Sequence, residues 1–179
     1  MQKLTAKQAR GFTMIELIVV IVIMGILAAV SSKAIQAGFN SYYTGQDLTT
    51  ANWLGRLALE NMERNIHAVR SPADITTASS TQLIFTDESN NTNNYTFTLA
   101  TKLLQYNFQG LGLQTLANNV SSFAFTYYDK TGTALTPTPL TAAQILTLRY
   151  VTINFTITFN NVIYTFRTTV NPLNLNPAP

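Results

Sequence analysis

At 179 residues and 19.7 kDa the chain has room for one domain with a sizeable core and little more. Lys and Arg total 11 against 8 Asp and Glu, yet Lys3, Lys7 and Arg10 all fall within the first ten residues; the rest of the chain is charge-balanced and lacks the basic surface that nucleic-acid binding requires. With no cysteine and a single histidine, a disulfide scaffold, a thiolate centre, a Cys nucleophile and a multi-histidine metal site are excluded.

The first elements are a polar, basic stretch over residues 1–10, then Gly11, then an apolar run that reaches Val30 with Gly25 as its one gap after Glu16. As a helix, residues 12–30 rise about 28 Å, close to the roughly 30 Å hydrocarbon core of a bilayer. Cations ahead of the run predict that residues 1–10 stay in the cytoplasm and that everything after Val30 lies across the membrane. Three readings fit so far. A secretory signal peptide would end at the small residues Ala28, Ala29, Ser31 and Ser32. A plain signal anchor would be retained whole. Neither accounts for Glu16, because a carboxylate in an apolar helix is costly and marks a functional contact.

The third reading is a resemblance. Arg10-Gly11-Phe12-Thr13-Met14-Ile15-Glu16-Leu17, with the apolar run through Gly25 to Ala28, closely resembles the N-terminus of type IV prepilins and type II secretion pseudopilins. The resemblance implies that a membrane aspartyl peptidase cuts between Gly11 and Phe12 on the cytoplasmic side. It further implies that the new amino group of Phe12 is N-methylated, and that Glu16 pairs with the N-terminal amine of a neighbouring subunit. Such pairing relieves the cost of an intramembrane acid only when subunits dock in register. A glycine at the cut suits close approach of an extended backbone to a protease cleft.

Beyond the membrane a helix is predicted to persist through Arg70, ended by Ser71-Pro72. Ala51, Leu54, Ala58, Met62, Ile66 and Val69 recur at steps of three and four and form one apolar stripe that needs a cover. Glu60 and Arg64 are spaced for an i,i+4 ion pair. Gly38 and Gly45 weaken the middle of the helix and mark the expected bend. Trp53 reads as a residue that packs against the head, while Tyr42 and Tyr43 fit either packing or an interfacial anchor. Many major pilins carry a proline where this chain has Lys33, and its absence points away from a major subunit.

Residues 75–170 alternate with period two and are rich in Thr, Phe, Tyr, Ile and Val, so they read as strands. A hairpin through residues 88–93 is expected to pair 85 with 97 and 83 with 99, with Leu83, Phe85, Tyr95, Phe97 and Leu99 on one face. Residues 103–108 form a further strand, and Val120, Phe123, Phe125 and Tyr127 mark another. A turn at Asn160-Asn161 pairs 159 with 162, 157 with 164 and 155 with 166, leaving a Thr-rich opposite face. Pro137, Pro139 and residues 142–144 suggest a loop with a helical turn, and residues 172–179 a flexible tail. A sheet with one apolar face must be covered, and the helix stripe is available.

The expected fold class is therefore α+β: a long N-terminal helix, membrane-spanning in its first half, packed under a small antiparallel β head. Its parts are a cytoplasmic leader over 1–11, a transmembrane or filament-core helix over 12–30, an amphipathic helix over 31–71, the β head over 72–171 and the tail over 172–179. The segment from Arg56 to Arg64, followed by Ser71-Pro72, also resembles minor pilins and pseudopilins of the J or W kind.

Other candidates carry less. His67 lacks partner ligands in the sequence, and Asp87, Glu88 and Asp129 are too sparse for a calcium loop. Gly110-Leu-Gly112 is too short for a phosphate loop, and no nucleophile elbow occurs. The expectation is a structural subunit, not an enzyme, with no catalytic residues, no metal and no cofactor. Its partners would be the bacterial inner membrane, the prepilin peptidase and methylase, and other pilin or pseudopilin subunits, with no nucleic acid. The rival is an exported adhesin or enzyme with a cleaved signal peptide.

Overall fold

The computed structural model describes residues 11–159 and 162–172. The expectations for Lys3, Lys7 and Arg10, for the Asn160-Asn161 turn and for the tail after Pro172 lie outside the described residues. The chain divides into two units, with the boundary between Gly45 and Gln46.

The first unit is the early part of α1 (Met14–His67), a helix that continues without a break through Gly38 and Gly45. Of residues 11–45, only Thr44 is even half-buried. A Cβ at Gly25, Gly38 or Gly45 would meet nothing within 4 Å, so no packing contact among the described residues demands glycine there.

The second unit opens with the rest of α1 and holds two antiparallel sheets where a single one was expected. Strands β1 (Ile75–Ala78), β2 (Gln82–Thr86), β3 (Thr92–Thr98), β4 (Leu103–Phe108) and β5 (Leu113–Ala117) form a five-stranded meander. Strands β6 (Val120–Tyr128), β7 (Tyr150–Phe159) and β8 (Val162–Val170) form the other sheet, with α2 (Ala142–Thr147) between β6 and β7 in the chain. The sheets join along β6: the Phe125 amide donates to the Ser80 carbonyl at 2.8 Å, and the Tyr127 hydroxyl donates to the Ser79 carbonyl at 2.7 Å. Phe97 of the first sheet stacks on Phe123 of the second with ring centroids 5.6 Å apart.

The final part of α1 lies on both sheets. Ala51, Gly55, Ala58, Met62 and Ile66 are its buried positions, so the stripe turns on Gly55 and leaves Leu54 half-buried. The reason is steric. A Cβ built on Gly55 would stand 2.3 Å from the ring of Phe166 on β8. Further along, Asn65 Nδ2 donates to the Tyr95 hydroxyl at 2.7 Å, and that hydroxyl donates to Asn61 Oδ1 at 2.8 Å. Tyr95 belongs to β3, so this part-buried amide–phenol cluster ties the helix to the five-stranded sheet, while Gly55 ties it to the three-stranded one.

The helix closes at His67, three residues short of the expected Arg70. Its last turn tightens through the Ala68 and Val69 amides, which donate to Asn65 and Ile66 carbonyls at 3.2 Å each, and Val69 then bridges to Asp87. The expected Glu60–Arg64 pair does not form; among the described residues the ion pair is Arg70 with Asp74, at 3.3 Å. Trp53 is 61% exposed, contrary to the expectation that it packs against the head.

Hairpin registers divide between success and failure. In β7–β8, Phe159 faces Val162, Ile157 faces Tyr164 and Phe155 faces Phe166, as alternation and a two-residue loop require. In β2–β3, Leu83 faces Tyr95 and Phe85 faces Asn93, four residues off the expected pairing, and Leu99 lies outside the strand and exposed. Asp87 is the cause. Its Oδ1 accepts from the Ser89 and Asn91 amides at 2.9 Å each, and its own amide donates to the Asn91 carbonyl at 3.0 Å, which closes the loop before residue 92.

Candidate functional site

The residues singled out at the N-terminus gather at the start of α1. Gly11, Phe12 and Thr13 precede the first helical turn, and with Glu16 they line one surface recess. Thr13 and Glu16 hold each other. The Glu16 amide donates to Thr13 Oγ1, and the Thr13 amide and hydroxyl both donate to Glu16 Oε2, each at 3.3 Å. This is a capping box, in which a Thr and a Glu three residues later satisfy amides that a helix start leaves without intrahelical partners. The carboxylate also sits in the first turn, where the helix dipole favours negative charge. The Thr-x-x-Glu spacing that signals this box stands in the sequence, although Glu16 draws attention there for its place in an apolar run.

Phe12 is 82% exposed, and a Cβ at Gly11 would meet nothing within 4 Å. Among the described residues, nothing therefore demands glycine at position 11. α1 is long and apolar enough to cross a membrane, and the most apolar part of it is wholly exposed in the chain.

These features coincide with a match between residues 6–32 and the family model of the prokaryotic N-terminal methylation motif. The chain carries the type IV pilin and pseudopilin signature. In a pilin-like chain the motif implies processing by prepilin peptidase and assembly with other pilin subunits in the membrane. The long helix followed by antiparallel sheets is likewise pilin-like. No curated protein matches the chain.

The head's titratable residues serve its turns and core. Burial pushes the Asp87 carboxyl up, but hydrogen bonds from the Asn91 amide, the Asn93 side chain and the Ser89 amide outweigh that and hold it below its usual value. Asp129 Oδ1 accepts from the Thr131 hydroxyl, the Thr133 amide and the Thr131 amide at 2.6, 2.9 and 2.8 Å, and its carboxyl is likewise held low. Burial raises the Tyr95 and Tyr127 hydroxyls. Among the described residues no three His, Cys, Asp or Glu side chains gather as they would around an ion, and His67 stands at the end of α1. Gly110 and Gly112, with φ of +74° and +112°, serve the β4–β5 turn.

Proposed function

We propose that this chain is a minor pilin or a type II secretion pseudopilin of the J or W kind, a structural subunit of the corresponding filament. The observation that carries the reading is the methylation motif at residues 6–32 heading a helix whose apolar half has no cover among the described residues. In this reading the peptidase cuts between Gly11 and Phe12, the Phe12 amine is methylated, and residues 12–30 anchor the chain in the inner membrane with the head on the periplasmic side. The open surroundings of Gly11 support a cut there, since none of the described residues packs against it and a glycine suits a protease cleft. The exposed Glu16 carboxylate, held by neutral donors at 3.3 Å, supports its pairing with a neighbour's amine, because an ammonium makes a shorter and stronger bond than the hydroxyl and amide it would replace. Register along the filament then follows from the charge pair and driving force from helix burial. The absence of proline at Lys33 supports a minor over a major subunit.

Intact-mass measurement and N-terminal sequencing of chain extracted from membranes test the reading. The expected product begins at methylated Phe12. A product that begins near Ser31 establishes instead an exported protein with a removed signal peptide.

A further inference from the structure

We infer that Asn90 is the acceptor of an N-linked glycan, transferred from an oligosaccharide carried on a lipid diphosphate. The inference rests on the reading above that places the head across the membrane, because the acceptor triplet is used on exported segments. That triplet, an Asn followed at the second position by Ser or Thr, stands at Asn90, Asn94, Asn119 and Asn154. The fold separates the four. Asn94 and Asn154 lie inside β3 and β7 with neighbours on both sides, Asn94 opposite Ile84 and Asn107, Asn154 opposite Ala124 and Arg167. An enzyme that draws an extended peptide into its cleft would have to unpick a sheet to reach either. Asn119 is exposed, but the Ser121 hydroxyl of its triplet donates to the Thr156 carbonyl at 3.2 Å and accepts from the Thr158 hydroxyl at 2.9 Å.

Asn90 meets none of these obstacles. It is exposed in the β2–β3 loop with φ of +62°, and among the described residues its side-chain amide has no hydrogen-bond partner. Asp87 holds the loop: its carbonyl accepts from the Asn90 amide at 3.0 Å, and its Oδ1 accepts from the Ser89 and Asn91 amides. These bonds lie outside the ladder, which closes at Thr86 opposite Thr92, so the loop can open as an extended segment while the sheet stays paired. Thr92, which supplies the hydroxyl of the triplet, is exposed. Two residues ahead of the acceptor stands the exposed Glu88, where the other triplets have Thr92, Ala117 and Thr152. A carboxylate on one side of the amide and a hydroxyl on the other give a transferase a charged and a neutral handle with which to orient it. In the transfer, Asn90 Nδ2 bonds to the anomeric carbon as the bond from that carbon to the diphosphate oxygen breaks. The lipid diphosphate leaves with the electron pair, and one amide proton passes to a base of the transferase.

Chain extracted from membranes is cut with trypsin, which releases residues 71–102 as one peptide because no Lys or Arg lies between Arg70 and Lys102. Electron-transfer fragmentation of that peptide then reads Asn90 and Asn94 separately. The expected result is a sugar mass on Asn90, with Asn94, Asn119 and Asn154 unmodified. Asn90→Gln and Thr92→Ala are each expected to remove it and Thr92→Ser to keep it. Glu88→Gln is expected to lower transfer on the order of tenfold, as the loss of one hydrogen bond to a charged group would. The thermal melt of the unglycosylated head is expected to be the same in all four variants. A sugar on one of the other three asparagines in place of Asn90, or one on Asn90 that survives Thr92→Ala, overturns the inference. An unmodified Asn90 overturns it as well, and the N-terminus of the same sample reports separately on the filament reading: a start at methylated Phe12 leaves that reading intact, and a start near Ser31 overturns it.

Discussion

Between residues 14 and 45, α1 is at its most apolar and buries nothing; between 46 and 67 it is more polar and gives five positions to a core. The difference lies in the side chains offered rather than in helicity. The later stretch presents Ala51, Gly55 and Ala58, small enough for strands to close on the backbone, and then Met62 and Ile66 to fill the space beyond. The earlier stretch presents branched and aromatic residues that none of the described residues buries. Because most helical stability in proteins comes from packing an apolar face, the earlier stretch requires a cover from outside, lipid or other helices.

Five substitutions break or sharpen that comparison. The largest effect is expected from Gly11→Asp, which should abolish trimming while leaving the head folded, read as retention of the full-length mass; a normally trimmed product would contradict the assigned cut. Next is Glu16→Val, expected to insert and be cleaved normally but to lose most assembly in a co-sedimentation assay. Glu16→Gln separates the two roles of that residue, since a glutamine keeps the capping box and removes the charge. If Gln assembles like the wild type, charge pairing is not what Glu16 supplies.

Gly55→Val acts on the later stretch alone. Overpacking against Phe166 should cost about 1–3 kcal/mol of head stability in a denaturant melt, with membrane insertion unaffected; an unchanged midpoint would mean that β8 yields freely. The smallest effect is on pH. The Asp87 carboxyl is held low in the fold, so its contribution to stability is present above its unfolded value of 3.8 and is lost as pH falls through the folded value. Asp87→Asn should therefore flatten the acid side of the stability profile below about pH 4, and an equally steep profile in the variant would assign that limb to other carboxylates.

The motif, the helix and the β7–β8 register were legible because each is written in local signals that agree: charge before an apolar run, steps of three and four, strict alternation around a two-residue loop. The β2–β3 register was not, because Asp87 closes its loop with side-chain bonds that shorten it, and parity alone cannot tell a shift of four from none. Gly55 escaped notice since a glycine in a helix reads as weakness until Phe166 is seen above it. Asn61 and Asn65 resemble solvent-facing residues, and only the fold brings Tyr95 to them. Trp53 misled for the opposite reason: size and apolarity argue for burial, but its place on the helix turns it away from the core.

Gly55 beneath Phe166 and Asn65 against Tyr95 are ten residues apart on one helix and belong to different sheets. They act as two rivets through one beam. A pull applied along α1 reaches both sheets together, so the head bears tension as a single body, and loosening either rivet should lower the force at which it gives way.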